Sequence, residues 1–233
     1  MIVPEHTTAA DDRLASCEAV LFDFDGTLID TGPLILESFR YTAERFLDEV
    51  PPDELLMRNV GVPLRTQMEA LKPGSGDEMV ACYREHNHAV HDTLARPFPH
   101  VDEVLGEMRS RGVPMGVVTS KGRTAFGMGS RLIGLDRYIE VTVTADDVDL
   151  HKPHPKPLEV CAERLGIRVG RTMYLGDSVH DVTAALRAGS IAVAALWGGM
   201  FTEEALIASG PDYALQEIRQ LLALMEDGSR FAV

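Results

Sequence analysis

The sequence predicts an α/β fold, with a parallel sheet flanked by helices on both faces and a small helical cap inserted over the sheet's carboxyl edge. Three observations carry that expectation. Short apolar runs alternate with segments of helical period; two of the runs are followed directly by acids; and about ninety residues separate the first run from the second, far more than the dozen or so a crossover needs.

In chain order, residues 1–17 read as a polar tail, with the core expected over 18–30 and 98–233 around a cap at 31–97. Residues 19–24 (AVLFDF) are few, apolar and partly aromatic or β-branched, which suits a buried strand. Within the insertion, Pro33 marks a helix start followed by Leu34, Phe39, Phe46 and Leu47, and a later helix is expected over 76–94. Val101, Val104, Leu105 and Met108 fall at i, i+3, i+4 and i+7 ahead of a second strand at 114–119 (PMGVVT). Two more strands follow at 172–175 (TMYL) and 191–196 (IAVAAL), separated by a helical stripe at Ala184, Ala185 and Ala188. Gly112, Gly166 and Gly189 stand where helices are expected to end. Strand, helix and strand in repetition imply a parallel sheet, and ligands of such sheets bind beyond the carboxyl ends of the strands.

Composition narrows the function. A chain of 233 residues buries one sizeable core with room for an insertion. The balance of 22 basic against 36 acidic residues, net charge −14, offers no basic stripe and excludes nucleic acid as an expected partner. An anionic substrate would be repelled at long range, so a site for one needs a bound cation or local basic residues. Cys17, Cys82 and Cys161 stand far apart without a CxxC pair, which points to reduced thiols rather than a zinc ribbon or disulfide framework. No stretch reaches the ~18 apolar residues of a membrane span, and the start of the chain lacks the basic and apolar segments of a signal peptide. The expectation is a cytoplasmic monomer or homodimer with no membrane partner.

Chemistry concentrates at strand ends. Asp23 and Asp25 follow the first strand two residues apart, so both project into one cleft while Phe24 turns to the core. The two anions repel unless a cation lies between them or one is protonated. An Asx-type turn carrying a solvated acid pair is the plain alternative. Asp177 and Asp181, in GDSVHD after another strand, are four apart and can face the same pocket, although an acid in a helix's first turn also satisfies the macrodipole. Carboxylates converging from two strand ends form a hard oxygen set of the kind that suits magnesium. Thr119 and Ser120 at a strand-to-helix junction can hold phosphate oxygens, or Ser120 can cap the helix. Lys152 supplies a compact charge, aimed by the prolines of HKPHPKP if it is not simply solvated.

The four segments DFDGTL, VVTSK, HKPHPKP and GDSVHD, in this order, resemble the four motifs of the haloacid dehalogenase superfamily, whose core is Rossmann-like. The resemblance implies an enzyme, a phosphohydrolase dependent on Mg2+, rather than a binding protein that merely keeps the fold. It implies that Asp23 is a nucleophile forming an aspartyl phosphate, Asp25 a general acid and base, and Lys152 a neutralising charge. Thr119, Ser120 and Gly26 would bind phosphate; Asp23, Asp25 (through its main-chain carbonyl), Asp177 and Asp181 would serve the metal, the last by orienting its water. The inserted helices resemble the cap of the phosphoglycolate phosphatase and β-phosphoglucomutase branch. Residues 29–31, the helix around Arg84 and the segment 129–135 are similar to the PpaX-type pyrophosphatases of bacteria. The substrate implied is inorganic pyrophosphate, with phosphoglycolate or another small phosphomonoester as the alternative; mutase chemistry is disfavoured.

Cap specificity residues are expected at Arg84, His88 and His91, which share a helix face at i, i+4 and i+7, and at Arg65 in the loop 59–65. A charged, solvated outer face would produce the same pattern.

Overall fold

The computed structural model describes residues 13–60 and 62–226. Six parallel strands form one sheet: β1 (Ala19–Phe22), β4 (Met115–Val118), β5 (Val141–Val143), β6 (Thr172–Gly176), β7 (Ile191–Ala195) and β8 (Tyr213–Leu215), in the order β5-β4-β1-β6-β7-β8. The chain builds outward from β1 in both directions, so β1, β4 and β6 meet at the switch in strand order where open parallel sheets bind ligands. Phe22 is in register with both Val117 and Leu175, and the Asp23 N–H donates to the Leu175 carbonyl at 2.8 Å.

Period-two alternation gives each strand two buried faces. Val20, Phe22, Val117 and Met173 pack under α5 (Val101–Ser110) and α10 (Gln220–Glu226). Leu21, Val118, Tyr174 and Ala192 face α7 (Lys156–Arg164), α8 (Val179–Ala188) and α9 (Glu203–Ala208). The remaining core helix, α6 (Arg123–Ile133), follows β4. Gly112, Gly166 and Gly189 all have φ near +70°, which explains glycine at those helix ends.

Between β1 and β4 run α1 (Gly32–Phe46), α2 (Asp53–Met57), α3 (Leu64–Leu71) and α4 (Gly76–Leu94), with their own buried cluster of Ile35, Phe39, Leu56, Met68, Met79 and Tyr83. The two chain crossings into this unit pair as a short antiparallel ribbon, β2 (Ile29–Asp30) with β3 (Arg96–Pro97). Pro33 lies in the first turn of α1, as expected.

The polar-tail expectation through residue 17 needs correction. Residues 1–12 lie outside the described residues, but Leu14 and Cys17 are buried in the main core, and Arg13 pairs with Asp212. Both side chains are apolar, and packing them beside β1 removes them from water. Cys17, Cys82 and Cys161 form no disulfide among the described residues. No described helix is long and apolar enough to cross a membrane.

Candidate active site

The carboxyl ends of β1, β4 and β6 open into a cavity of about 470 Å³, roofed by α1, α4 and the loop before α3. Each strand hands it a side chain one residue past its end: Asp23, Thr119 and Asp177. Asp25, Ser120 and Lys152 also line it, so the motif residues spread along the sequence meet in one place.

Lys152 sits at the centre of the buried charge. It is 4% exposed, and its Nζ lies 2.9 Å from Asp23 Oδ1, 2.6 Å from Asp181 Oδ1 and 3.0 Å from the Tyr174 hydroxyl, which accepts from it. That hydroxyl in turn lies 3.0 Å from both the Val118 carbonyl and Asp181 Oδ1, either of which can take its proton. Burial by itself would lower the Lys152 pKa, but Asp181 and Asp23 together drive it upward and keep the ammonium charged.

The carboxylates pay no such dividend to one another. Burial, then the charge of Asp181, pushes Asp23 up to about 7 against the opposing pull of Lys152. Asp177 is also raised, by burial first and then by Asp23 and Asp181. Ligand oxygens of Asp23, Asp177 and Asp181 lie within 4.8 Å of one another, and Asp177 Oδ2 is buried without a hydrogen-bond partner. An orphaned, buried carboxylate oxygen among repelling acids fits a hard divalent cation, which would satisfy that oxygen and reverse the repulsion.

A pH prediction follows. From about pH 4 to about pH 7, Asp23 keeps its proton when folded but loses it when unfolded, so the folded state binds more protons and stability falls as pH rises. Melting in chelator should give a lower Tm at pH 8 than at pH 5, and added Mg2+ should raise Tm more at pH 8. A Tm in chelator that climbs with pH across this window would contradict it.

Two glycines bring the backbone close to the acids. A Cβ on Gly26, whose φ is +78°, would lie 2.0 Å from Asp177 Oδ2, and one on Gly198 would lie 2.4 Å from the same atom. Gly26 does not line the cavity, and its N–H already donates to the Ile29 carbonyl at 2.9 Å. Gly26 thus permits close packing inside the turn.

Asp25 and Asp181 are each held by hydrogen bonds from the protein. Asp25 Oδ1 accepts from Thr31 Oγ1 at 2.7 Å and Lys121 Nζ at 2.6 Å, and its carboxylate is not in the acidic cluster. Asp181 Oδ2 accepts from the Ser178 N–H at 3.0 Å and the Ser178 hydroxyl at 2.5 Å in a capping box, while Oδ1 takes Lys152. Both of its oxygens accept hydrogen bonds from the protein, and one lies within 4.8 Å of ligand oxygens of Asp23 and Asp177.

From the helical unit, Arg84 and His88 line the cavity. His91 does not: two turns on, α4 packs against α6, and His91 is fully buried with Nδ1 2.8 Å from Asp92 Oδ1. Sharing a helix face is not enough when the cavity ends before the helix does. Arg65 reaches the cavity wall, but its guanidinium is spent on Asp77 at 2.7 Å. Sequence reasoning missed Lys121, although it completes VVTSK, and Tyr174, whose place among apolar strand residues hides a buried hydroxyl. It also missed Gly198, which only the fold brings against Asp177.

The comparisons agree with this geometry. A family model described as haloacid dehalogenase-like hydrolase matches residues 20–195. Pyrophosphatase PpaX of Oceanobacillus iheyensis is 34% identical over 212 residues, covering 91% of this chain and 98% of that protein. Pyrophosphatase PpaX of Anoxybacillus flavithermus is 36% identical over 211 residues, covering 91% and 98%. The crystal structure of a predicted phosphoglycolate phosphatase from Haemophilus somnus shares the fold with a TM-score of 0.78 at 22% identity, covering 90% of this chain and 98% of that one. With the family's motifs gathered at one sheet edge and its match spanning β1 to β7, this chain belongs to the haloacid dehalogenase-like hydrolases, and it is an enzyme that acts on phosphate ester or anhydride bonds.

Proposed function

We propose that this protein hydrolyses inorganic pyrophosphate through a phosphorylated Asp23. The observation that carries the chemistry is Lys152 held between Asp23 and Asp181 in a buried site whose acids repel without a cation. The similarity to pyrophosphatases along nearly the whole chain supports the substrate.

In this reading Asp23 attacks one phosphorus, forming a P–O bond as the bridging P–O bond breaks. Lys152 neutralises charge on the nucleophile and the transferred group. Thr119 and Ser120 orient the phosphoryl oxygens, and Asp25 exchanges a proton first with the leaving group and then with the water that hydrolyses the intermediate. Asp23 and Asp177, with the main-chain carbonyl of Asp25, would hold Mg2+, which when bound supplies charge neutralisation and orientation. Dividing hydrolysis into two in-line displacements lets one arrangement serve both steps. The setting proposed is the cytoplasm, which three cysteines outside any disulfide among the described residues support.

A small phosphomonoester is the second reading, favoured by the apolar wall of Ile35, Phe39, Val60 and Val62 in a cavity of about 470 Å³. A phosphate-release panel with Mg2+ decides between them. Pyrophosphate is expected to show the highest kcat/KM against 2-phosphoglycolate and sugar phosphates. Cleavage of phosphoglycolate with pyrophosphate untouched would overturn the substrate while leaving the chemistry in place.

A further inference from the structure

The acids of the cavity are aimed in different ways. Asp181 is held by Ser178 and Lys152, Asp23 by Lys152 and Asp25 by Lys121 and Thr31. Asp177 Oδ2, in contrast, is buried and has no hydrogen-bond partner. What fixes that oxygen is contact with bare backbone. A Cβ on Gly26 would lie 2.0 Å from it and one on Gly198 2.4 Å, and the Cβ on Gly198 would also lie 2.5 Å from the Gly26 carbonyl oxygen. The carboxylate and the two glycines are packed against one another.

Gly26 belongs to the turn after β1, whereas Gly198 arrives on the loop after β7. That strand runs beside β6 with Ala194 in register with Gly176, which delivers its loop next to Asp177. A hydrogen bond ties the loop to the turn: the Trp197 indole N–H donates to the Thr27 carbonyl at 3.0 Å, and the ring packs against the main core. Gly199 has a left-handed φ of +74° but Gly198 does not, so the missing side chain at Gly198 answers to space and not to backbone conformation.

We infer that Trp197 and Gly198 are positioning residues for Asp177: the bond from Trp197 to Thr27 keeps Gly198 and Gly26 closed on the carboxylate, and the resulting rigidity gives the site a preference for Mg2+ over the larger Ca2+. The inference rests on the Mg2+ site of the proposed function. Mg2+ takes oxygen ligands at about 2.0–2.1 Å in near-ideal octahedral geometry, whereas Ca2+ accepts about 2.3–2.6 Å and irregular shells. A carboxylate packed on two backbones cannot follow the larger ion without moving the turn. Set loose, it loses more of its affinity for the ion with the stricter geometry.

The test melts wild-type protein, Trp197→Phe and Gly198→Ala without substrate across a series of MgCl2 and CaCl2 concentrations, reading an apparent Kd for each ion from the rise in Tm. Trp197→Phe keeps a ring in the core and removes only the N–H donor. It should weaken Mg2+ binding about 10-fold, the scale on which losing a ligand's orienting partner acts. Ca2+ binding should weaken about threefold or less, because calcium tolerates irregular coordination. Gly198→Ala should lower the Mg2+ to Ca2+ affinity ratio further, since the carboxylate must give way to the added methyl. A tryptophan that merely fills the core would lower Tm in chelator and leave the ratio alone, so an unchanged ratio in Trp197→Phe overturns the inference. Wild-type protein whose Tm does not respond to Mg2+ overturns the metal site of the parent reading instead, so the two failures are distinct.

Discussion

Asp23→Asn is expected to lower phosphate release by about 10⁴-fold or more, the scale on which removing a covalent nucleophile acts. The amide keeps the size and shape of the carboxylate at the end of β1, so the loss comes from chemistry rather than packing. Lys152 holds one Asp23 oxygen at 2.9 Å, the side chain faces the cavity, and Asp177 and Asp181 stand beside it. An amide there is a poor nucleophile and a weak ligand for a hard cation. A melt in chelator guards against misfolding. The substitution removes a carboxylate that burial and Asp181 disfavour, so the metal-free variant should melt at or above the wild-type temperature at pH 8. Turnover within tenfold of wild type would remove Asp23 from the nucleophile's role.

The fold was legible because its strongest strands are buried on both faces and therefore written as unbroken apolar runs. Each of the runs at 19–24, 114–119, 172–175 and 191–196 became a strand in the middle of the sheet. The two edge strands went unread, since Val141–Val143 and Tyr213–Leu215 are only three residues each and look like any short apolar patch. The tail was overextended for the opposite reason. Leu14 and Cys17 carry too little local pattern to announce a core contact that depends on where β1 lies.

At the site, residue types were readable but their hydrogen bonds were not. Asp177 and Asp181 have the same side chain and sit four positions apart, yet one keeps a bare buried oxygen while the other is saturated by Ser178, Tyr174 and Lys152. That difference arises from the capping box at the start of α8 and from Tyr174 pointing across the sheet face. His91 shows the same limit, because helical period gives an angle around the axis but not where a cavity stops along it.

Lys152→Met is expected to be the most damaging single change to stability, and to lower turnover as well. Methionine retains much of the apolar stem but leaves Asp23 and Asp181 facing one another, with Asp177 close by and no cation between them. Breaking a buried pair on one side costs about 3–5 kcal/mol, because the surviving charge stays desolvated. Turnover should fall by about 10²–10³-fold as the charge opposing the developing phosphoryl anion disappears. The stability loss should shrink when Mg2+ is added and at pH 5, where protonation relieves Asp23, and urea unfolding under the four conditions measures both effects. A double-mutant cycle isolates the cause. With Asp23→Asn already present, Lys152→Met removes a cation that has one fewer buried carboxylate to compensate, so its cost should be smaller than in the wild-type background. Equal costs in the two backgrounds would mean that Lys152 stabilises the fold through its stem and Tyr174, independently of the charge on Asp23.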